Sequence, residues 1–298
     1  MKKLAASCFV MGGVACALAL CAAQAQAATL FTYNGFSNTS GLTLIGNTTT
    51  ASTIDGAVLR LTTAGTGESG AAYSTLPVTL GANNTFSTMF QFRFTNPGGI
   101  DPADGITFLL AANPSGLGTS GVGLGYAGVP NSVAIEFDTY NNGAGDGNSS
   151  NHVGIDTGGN LTDSSLTNVY GNPSCGFANG IPAQNPNTAA GCLSNGHLWT
   201  ANISYNGSNL TVTLLDPAEM SSFTAINGAA INLASILGTN TAFVGFTAGT
   251  GAGFENHDIV NWQFANTAQI TGVPEPATPL LLGTGLLALA WLAGKRAV

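Results

Sequence analysis

From residue 90 to residue 94 every second side chain is aromatic, with Gln91 and Arg93 between, and Leu210-Thr211-Val212-Thr213-Leu214 repeats the pattern in aliphatic form. A period of two puts the apolar side chains of a run on one face, as a half-buried strand requires and a helix does not. Further runs at residues 58–61, 106–110, 243–246 and 258–264 are separated by Gly, Asn, Ser and Thr. Asn206-Gly207-Ser208-Asn209 between two such runs predicts a hairpin turn. No stretch keeps a 3.6-residue period long enough for a substantial helix, and neither an internal repeat nor a second domain is visible. The pattern predicts an all-β body over residues 29–266, an antiparallel two-sheet sandwich of the jelly-roll type.

Charge narrows the possible partners. The chain carries 6 Lys and Arg against 14 Asp and Glu, a net charge of −8. Lys2, Lys3, Lys295 and Arg296 lie at the two ends, so the body has only Arg60 and Arg93 as basic residues. That balance argues against nucleic acid and anionic membrane surfaces. Residues 1–27 read as a secretory signal, with Lys2 and Lys3, an apolar run over 4–20 and the small-x-small site Ala25-Gln26-Ala27. Cys8, Cys16 and Cys21 leave with it, and the remaining Cys175 and Cys192 are expected to form one disulfide in an oxidising compartment.

At the other end a linker over 267–276 contains Val273-Pro274-Glu275-Pro276. Uncharged residues 277–294 follow, long enough to span a bilayer as a helix, and then a basic end over 295–298. Pro-Glu-Pro, a short span and a basic stop resemble the PEP-CTERM sorting tail of Gram-negative bacteria. That resemblance implies a membrane anchor before processing by an exosortase-type protease, and delivery to the cell surface or extracellular matrix.

The chemistry concentrates between residues 133 and 156. Val133, Ile135 and Phe137 alternate with Glu136, Asp138, Tyr140 and Asn142, which places the four polar-tipped residues on one face of a strand. Two carboxylates on an inward face repel each other and lose hydration, and the body has almost no base to offset them. A metal ion meets that need. Glu136, Asp138, Asp146 and His152 form a mixed carboxylate–imidazole set suited to Mn²⁺ or Zn²⁺. Asp138, the Tyr140 carbonyl, the Asn142 side-chain oxygen and Asp146 offer oxygen only, which suits Ca²⁺. Asp138 and Asp146 would bridge the two ions; a solvated acidic hairpin is the plain alternative.

This segment resembles the metal-binding segment of L-type (legume-type) lectins. Ala103-Asp104-Gly105-Ile106-Thr107-Phe108 upstream resembles that family's Ala-Asp-Gly motif, and Gly121-Val122-Gly123-Leu124-Gly125-Tyr126 its Gly-rich loop. Residues 197–216 and 245–262 resemble its later strands, in the same order. The resemblance implies a concanavalin A-like jelly roll holding Ca²⁺ and a transition metal, most simply Mn²⁺, and a glycan or polysaccharide as ligand, without catalysis. Asp104 would accept hydrogen bonds from two sugar hydroxyls, Asn142 would donate its amide, and an N–H at Gly121 or Gly123 would donate a third. Tyr140 would offer a ring face, and residues 251–255 would line the rim. The peptide bond between Ala103 and Asp104 would be cis. Asn142 and Asp146 stand one residue closer than in the commonest plant pattern, and Gly147 replaces the usual Pro. Two alternatives remain: a structural matrix or biofilm protein on the same fold, and a jelly-roll glycoside hydrolase. The second lacks an acid where Tyr140-Asn141-Asn142 stands, although hydrolysis needs two facing carboxyls. His257, Asp258 and Trp199 read as structural, and His197 is left unassigned.

Overall fold

A computed structural model describes residues 29–113, 116–177, 189–219 and 221–270. The signal at 1–27 and the spanning segment at 277–294 lie outside the described residues. Alternation, turn residues and the absence of helical periodicity yield two packed antiparallel sheets. One runs in the order β14 (Phe223–Ala230), β13 (Asn209–Leu215), β12 (Trp199–Tyr205), β7 (Phe86–Gly99), β16 (Gly253–Ala265), β4 (Gly56–Thr62), β3 (Thr49–Thr53), with β1 (Thr29–Tyr33) paired to the C-terminal half of β16. The other runs β11 (Leu166–Asn168), β10 (His152–Thr157), β9 (Ser132–Asp138), β8 (Gly105–Ala111), β15 (Thr241–Gly249), β5 (Ser69–Ser74), β2 (Leu42–Gly46), with β6 (Val78–Thr79) on β15. One short helix, α1 (Leu233–Leu237), is capped by Asn232, whose side chain accepts the Ser235 N–H at 3.0 Å. Among the described residues no helix is long and apolar enough to cross a membrane.

The alternating aromatics of β7 supply the core. Phe86, Phe90, Phe92 and Phe94 are fully buried and meet Phe108, Phe137, Phe246 and Trp262 from neighbouring strands. Phe90 packs edge-on against Phe137 and Phe246, with ring centres 5.6 and 4.9 Å apart, the favoured geometry for aromatic pairs. On β9, Val133, Ile135 and Phe137 enter this main core, whereas Ala134 joins a smaller cluster with Leu109, Tyr126 and Val129. Glu136 and Asp138 continue the Ala134 face. They are therefore buried on the side of the sheet turned away from the inter-sheet core, not within it.

Both described arginines are spent on the first sheet. Arg60 makes a bidentate pair with Asp258 at 2.8 and 2.7 Å, and Arg93 one with Asp55 at 2.7 and 2.9 Å. Trp199 is fully buried, its indole N–H donated to Asn195 at 3.1 Å. The pairing of Asp258 and the burial of Trp199 fit the structural roles expected of them.

Cys175 and Cys192 form the expected disulfide, 17 residues apart in sequence. It ties the chain beyond β11 to the segment that leads into β12. Buried Asn151, just before β10, binds the same region: its amide nitrogen reaches the carbonyls of Val169, Asn172 and Gly191, and its oxygen accepts the Leu193 N–H. On the chain-entropy account a link over this separation contributes about 3 kcal/mol. At about 2–4 °C per kcal/mol for a domain of this size, reduction should lower the melting temperature by about 6–12 °C. Thermal melts with and without reductant, alongside a Cys175→Ser/Cys192→Ser double variant, check this.

Candidate functional site

The acidic site begins with strand register. Glu136 on β9 lies opposite Thr107 of β8 and Gly154 of β10, and Asp138 lies opposite Gly105 and His152. Glu136, Asp138 and His152 thus offer ligand atoms within 4.8 Å of one another. His152 Nε2 is 2.9 Å from Glu136 Oε1, and its Nδ1 is buried with no hydrogen-bond partner.

Beyond Asp138 the expected alternation stops. β9 ends there, because Asp138 Oδ1 accepts the Tyr140 N–H at 2.7 Å and turns the chain. Tyr140 and Asn142 therefore sit on the hairpin and not on the strand face. Asn142 is exposed and gives its N–H to Asp146 Oδ2. Asp146 ends a single 3₁₀ turn, Ala144–Asp146, and stands outside the tight Glu136–Asp138–His152 group while still close enough to influence His152 and Asp138. The hairpin that should hold the oxygen-rich ion is in place, and Tyr140 and Asn142 lie on its open side.

Two acids join this face that were not singled out as ligands. Asp156 on β10 is fully buried, and neither of its carboxylate oxygens has a hydrogen-bond partner. Asp163, from the segment between β10 and β11, brings its carboxylate within 4.8 Å of those of Glu136 and Asp156. Gly154 makes this possible: a Cβ there would collide with the Asp163 carboxylate and stand 2.6 Å from Glu136 Oε1. Asp156 closes the Gly-Ile-Asp run after His152 and could have been suspected from period two. Asp163 could not, because a loop delivers it.

Burial and mutual repulsion raise the proton affinity of every acid here. Asp156 is pushed up to about 9 by burial and then by Glu136 and Asp163. Glu136 is raised by burial and Asp163, and Asp138 by burial, Glu136 and Asp146. Asp146 and Asp163 are raised chiefly by burial, while burial lowers His152. Among the described residues no basic side chain faces the cluster. The donor set, with His152 Nε2 turned to the acids and several carboxylate oxygens unpartnered, fits a cation-binding role.

A second group of loops meets the hairpin from the other side. The Ala103–Asp104 peptide bond is cis, as the resemblance implied. Asp104 gives its N–H to Gly249 and receives the Thr139 N–H on its carbonyl, at 3.0 and 2.9 Å. Its carboxylate is pushed up to about 7 by burial, Glu255 and Asp146, and its Oδ2 is buried without a partner. Gly121 and Gly251 flank it: a Cβ on Gly251 would stand 3.4 Å, and one on Gly121 4.0 Å, from Asp104 Oδ2.

Two expectations change here. The Gly121 N–H is already donated to the Thr250 carbonyl at 2.9 Å, and that of Gly123 to Ser120 at 3.2 Å. What Gly121 supplies is space beside Asp104, not a spare donor. Residues 251–255 do not all line a rim either, for Glu255 is completely buried. Its Oε1 accepts Thr139 Oγ1 at 2.8 Å and Ser194 Oγ at 3.1 Å, with His257 Nε2 3.6 Å away. His257 Nδ1 pairs with Thr62 Oγ1 at 2.6 Å, and His197 Nδ1 pairs with Asp216 at 2.7 Å.

Comparison with known proteins agrees with this arrangement. The legume lectin domain family matches residues 28–278, and a PEP-CTERM protein-sorting motif matches residues 272–296. The chain is 30% identical over 231 residues to favin of Vicia faba, covering 72% of this chain and 85% of favin. It is 29% identical over 249 residues to a probable L-type lectin-domain containing receptor kinase of Arabidopsis thaliana, covering 80% of this chain and 35% of the kinase. The chain thus spans only about a third of the length of that relative. Among solved structures, the metal-free form of lectin I-B4 from Griffonia simplicifolia superposes with a TM-score of 0.61 at 25% identity, over 78% of this chain and 97% of that one. This chain belongs to the legume lectin domain family. Favin and the Griffonia protein are lectins, and the family match places this chain with lectin domains.

The raised carboxyls set a pH dependence for metal-free protein. A group whose folded pKa is raised contributes stability that is present at low pH and lost as pH rises through the folded value. For Asp104 and Asp156 that loss begins near the ordinary carboxylate value of about 4 and is complete by about pH 7 and about pH 9. EDTA-treated protein should melt several degrees higher at pH 7 than at pH 9. With Ca²⁺ and Mn²⁺ bound the acid side should instead be the weak one, since protons displace the ions below about pH 5. Melting temperature against pH in the two states checks both signs.

Proposed function

We propose that this chain is a metal-dependent, non-catalytic carbohydrate-binding protein. Glu136, Asp138, Asp146 and His152 would hold a transition metal, and Asp138, the Tyr140 carbonyl, Asn142 and Asp146 would hold Ca²⁺. When bound, the ions supply positive charge that neutralises the acids and fixes the hairpin. The remaining work belongs to side chains of the protein itself. Asp104 accepts hydrogen bonds from two adjacent sugar hydroxyls, Asn142 donates its amide from the exposed side of the hairpin, and Tyr140 lies beside them. Gly121 and Gly251 keep the approach to Asp104 open.

One observation carries this reading. Asp104 holds a buried carboxylate oxygen with no partner inside the protein, beside two backbone positions that have no side chain. A buried acceptor left unpaired is costly, and a polyhydroxylated ligand is the chemistry that satisfies it. The sorting motif supports display of the domain at the surface of a Gram-negative cell or in its matrix, after processing by an exosortase-type protease. A single site of this kind binds at about millimolar strength, so many displayed copies, or a polymer of repeated sugars, would give useful avidity.

The test is a glycan array probed with Ca²⁺ and Mn²⁺ present, with EDTA, and with Asp104→Ala. Two charge-assisted hydrogen bonds of about 1.5 kcal/mol each correspond to a loss of about a hundredfold or more on Asp104→Ala. Binding that survives both EDTA and the substitution would overturn the assignment. So would an array without metal-dependent binding to any glycan.

A further inference from the structure

Asp163 has no role in the ligand set above, yet it stands inside the site. Ser164 gives its N–H to the Ile155 carbonyl at 2.9 Å, and Ile155 returns its own to Ser165 at 3.0 Å. These bonds hold the segment after β10 against the strand, and Gly154 leaves the room into which the Asp163 side chain turns. That side chain is 6% exposed, and its Oδ1 is buried without a partner. Its Oδ2 lies 4.0 Å from His152 Nε2, while Glu136 Oε1 lies 2.9 Å from the same nitrogen.

Those two separations have a simple meaning in coordination geometry. In an octahedron with bonds of about 2.1 Å, neighbouring ligand atoms are about 3 Å apart and opposite ones about 4.2 Å. Glu136 and Asp163 thus both stand within the distance that two ligands of one ion can span from His152 Nε2, while Asp163 also lies within 4.8 Å of Glu136 and Asp156. Charge points the same way. Glu136, Asp138 and Asp146 bring three negative charges to two divalent ions, and Asp163 makes the count even.

Resting on the metal-dependent reading above, we propose that Asp163 is a direct protein ligand of the transition-metal site, in a position that water would otherwise fill. The site then holds its ion with more protein oxygen and less water than the motif residues alone provide, which favours a hard cation such as Mn²⁺ over a softer one.

The test uses apo protein prepared with EDTA and titrated with Mn²⁺ under saturating Ca²⁺. Water-proton relaxation counts the waters bound directly to Mn²⁺. Asp163→Ala should add one such water and weaken Mn²⁺ binding at least tenfold. The isosteric Asp163→Asn keeps the shape of the loop should the alanine variant not fold. Asp163→Asn should melt above wild type in EDTA, because one repelling charge is gone, and below it with both ions bound. Unchanged hydration with Mn²⁺ affinity within twofold of wild type would overturn the proposal. So would a variant that melts below wild type in both states, the signature of a merely structural residue. Failure of wild-type protein to bind Mn²⁺ would instead sink the metal-dependent reading itself, so the two failures are separable.

Discussion

Glu136, Asp138 and Asp156 on a buried sheet face, with Asp146 and Asp163 brought in by loops, crowd one imidazole, and neither described arginine reaches them. At an effective dielectric of about 20, two like charges about 4.8 Å apart cost about 3 kcal/mol. A domain has only about 5–15 kcal/mol of net stability, so a few such pairs fully ionised together would consume it. The face can stay folded only if something positive enters it, protons or cations. The two arginines of the body cannot serve, since each is locked bidentately to an acid elsewhere.

The same constraint orders the neighbouring loops. Asp138 fixes the start of the hairpin through the Tyr140 N–H, and Thr139 beside it works in two directions. Its N–H supports the Asp104 carbonyl, and its hydroxyl binds Glu255 at the start of β16. Whatever neutralises Asp138 therefore steadies Thr139, and Thr139 holds both the Asp104 backbone and Glu255. Coupling here needs no long-range movement, because a single residue joins the charged face to the ligand-facing one. Removal of cations should loosen Asp104 and the hairpin together, leaving the aromatic core of β7, β9 and β16 in place.

Much of this was legible in the residues, for physical reasons. Strand signals are local, so β7 and β13 follow from alternation, and β4, β8, β15 and β16 from apolar runs set between turn residues. Glu136, Asp138 and His152 converge as their spacing suggests, because antiparallel register is set by the same alternation that buries Val133, Ile135 and Phe137. What was not legible depends on loops. Period two carried on to Tyr140 and Asn142 fails, since the Asp138 side chain captures an N–H two residues on and breaks the strand. The Gly121 N–H looked available from its motif, yet it is spent on Thr250. Asp163 reaches the site because a glycine stands at 154. In a chain with 41 glycines no single one signals a cavity.

Charge balance accounts for the acids that the lectin motif leaves over. Glu136, Asp138, Asp146 and Asp163 are the acids that approach His152 or the hairpin. Asp156 sits beside Glu136 and Asp163, and burial together with those two acids raises its proton affinity in the metal-free protein. Neutrality of the buried face then needs positive charge from protons or cations, not a base from the protein. A body with only two arginines can therefore bury so much acid.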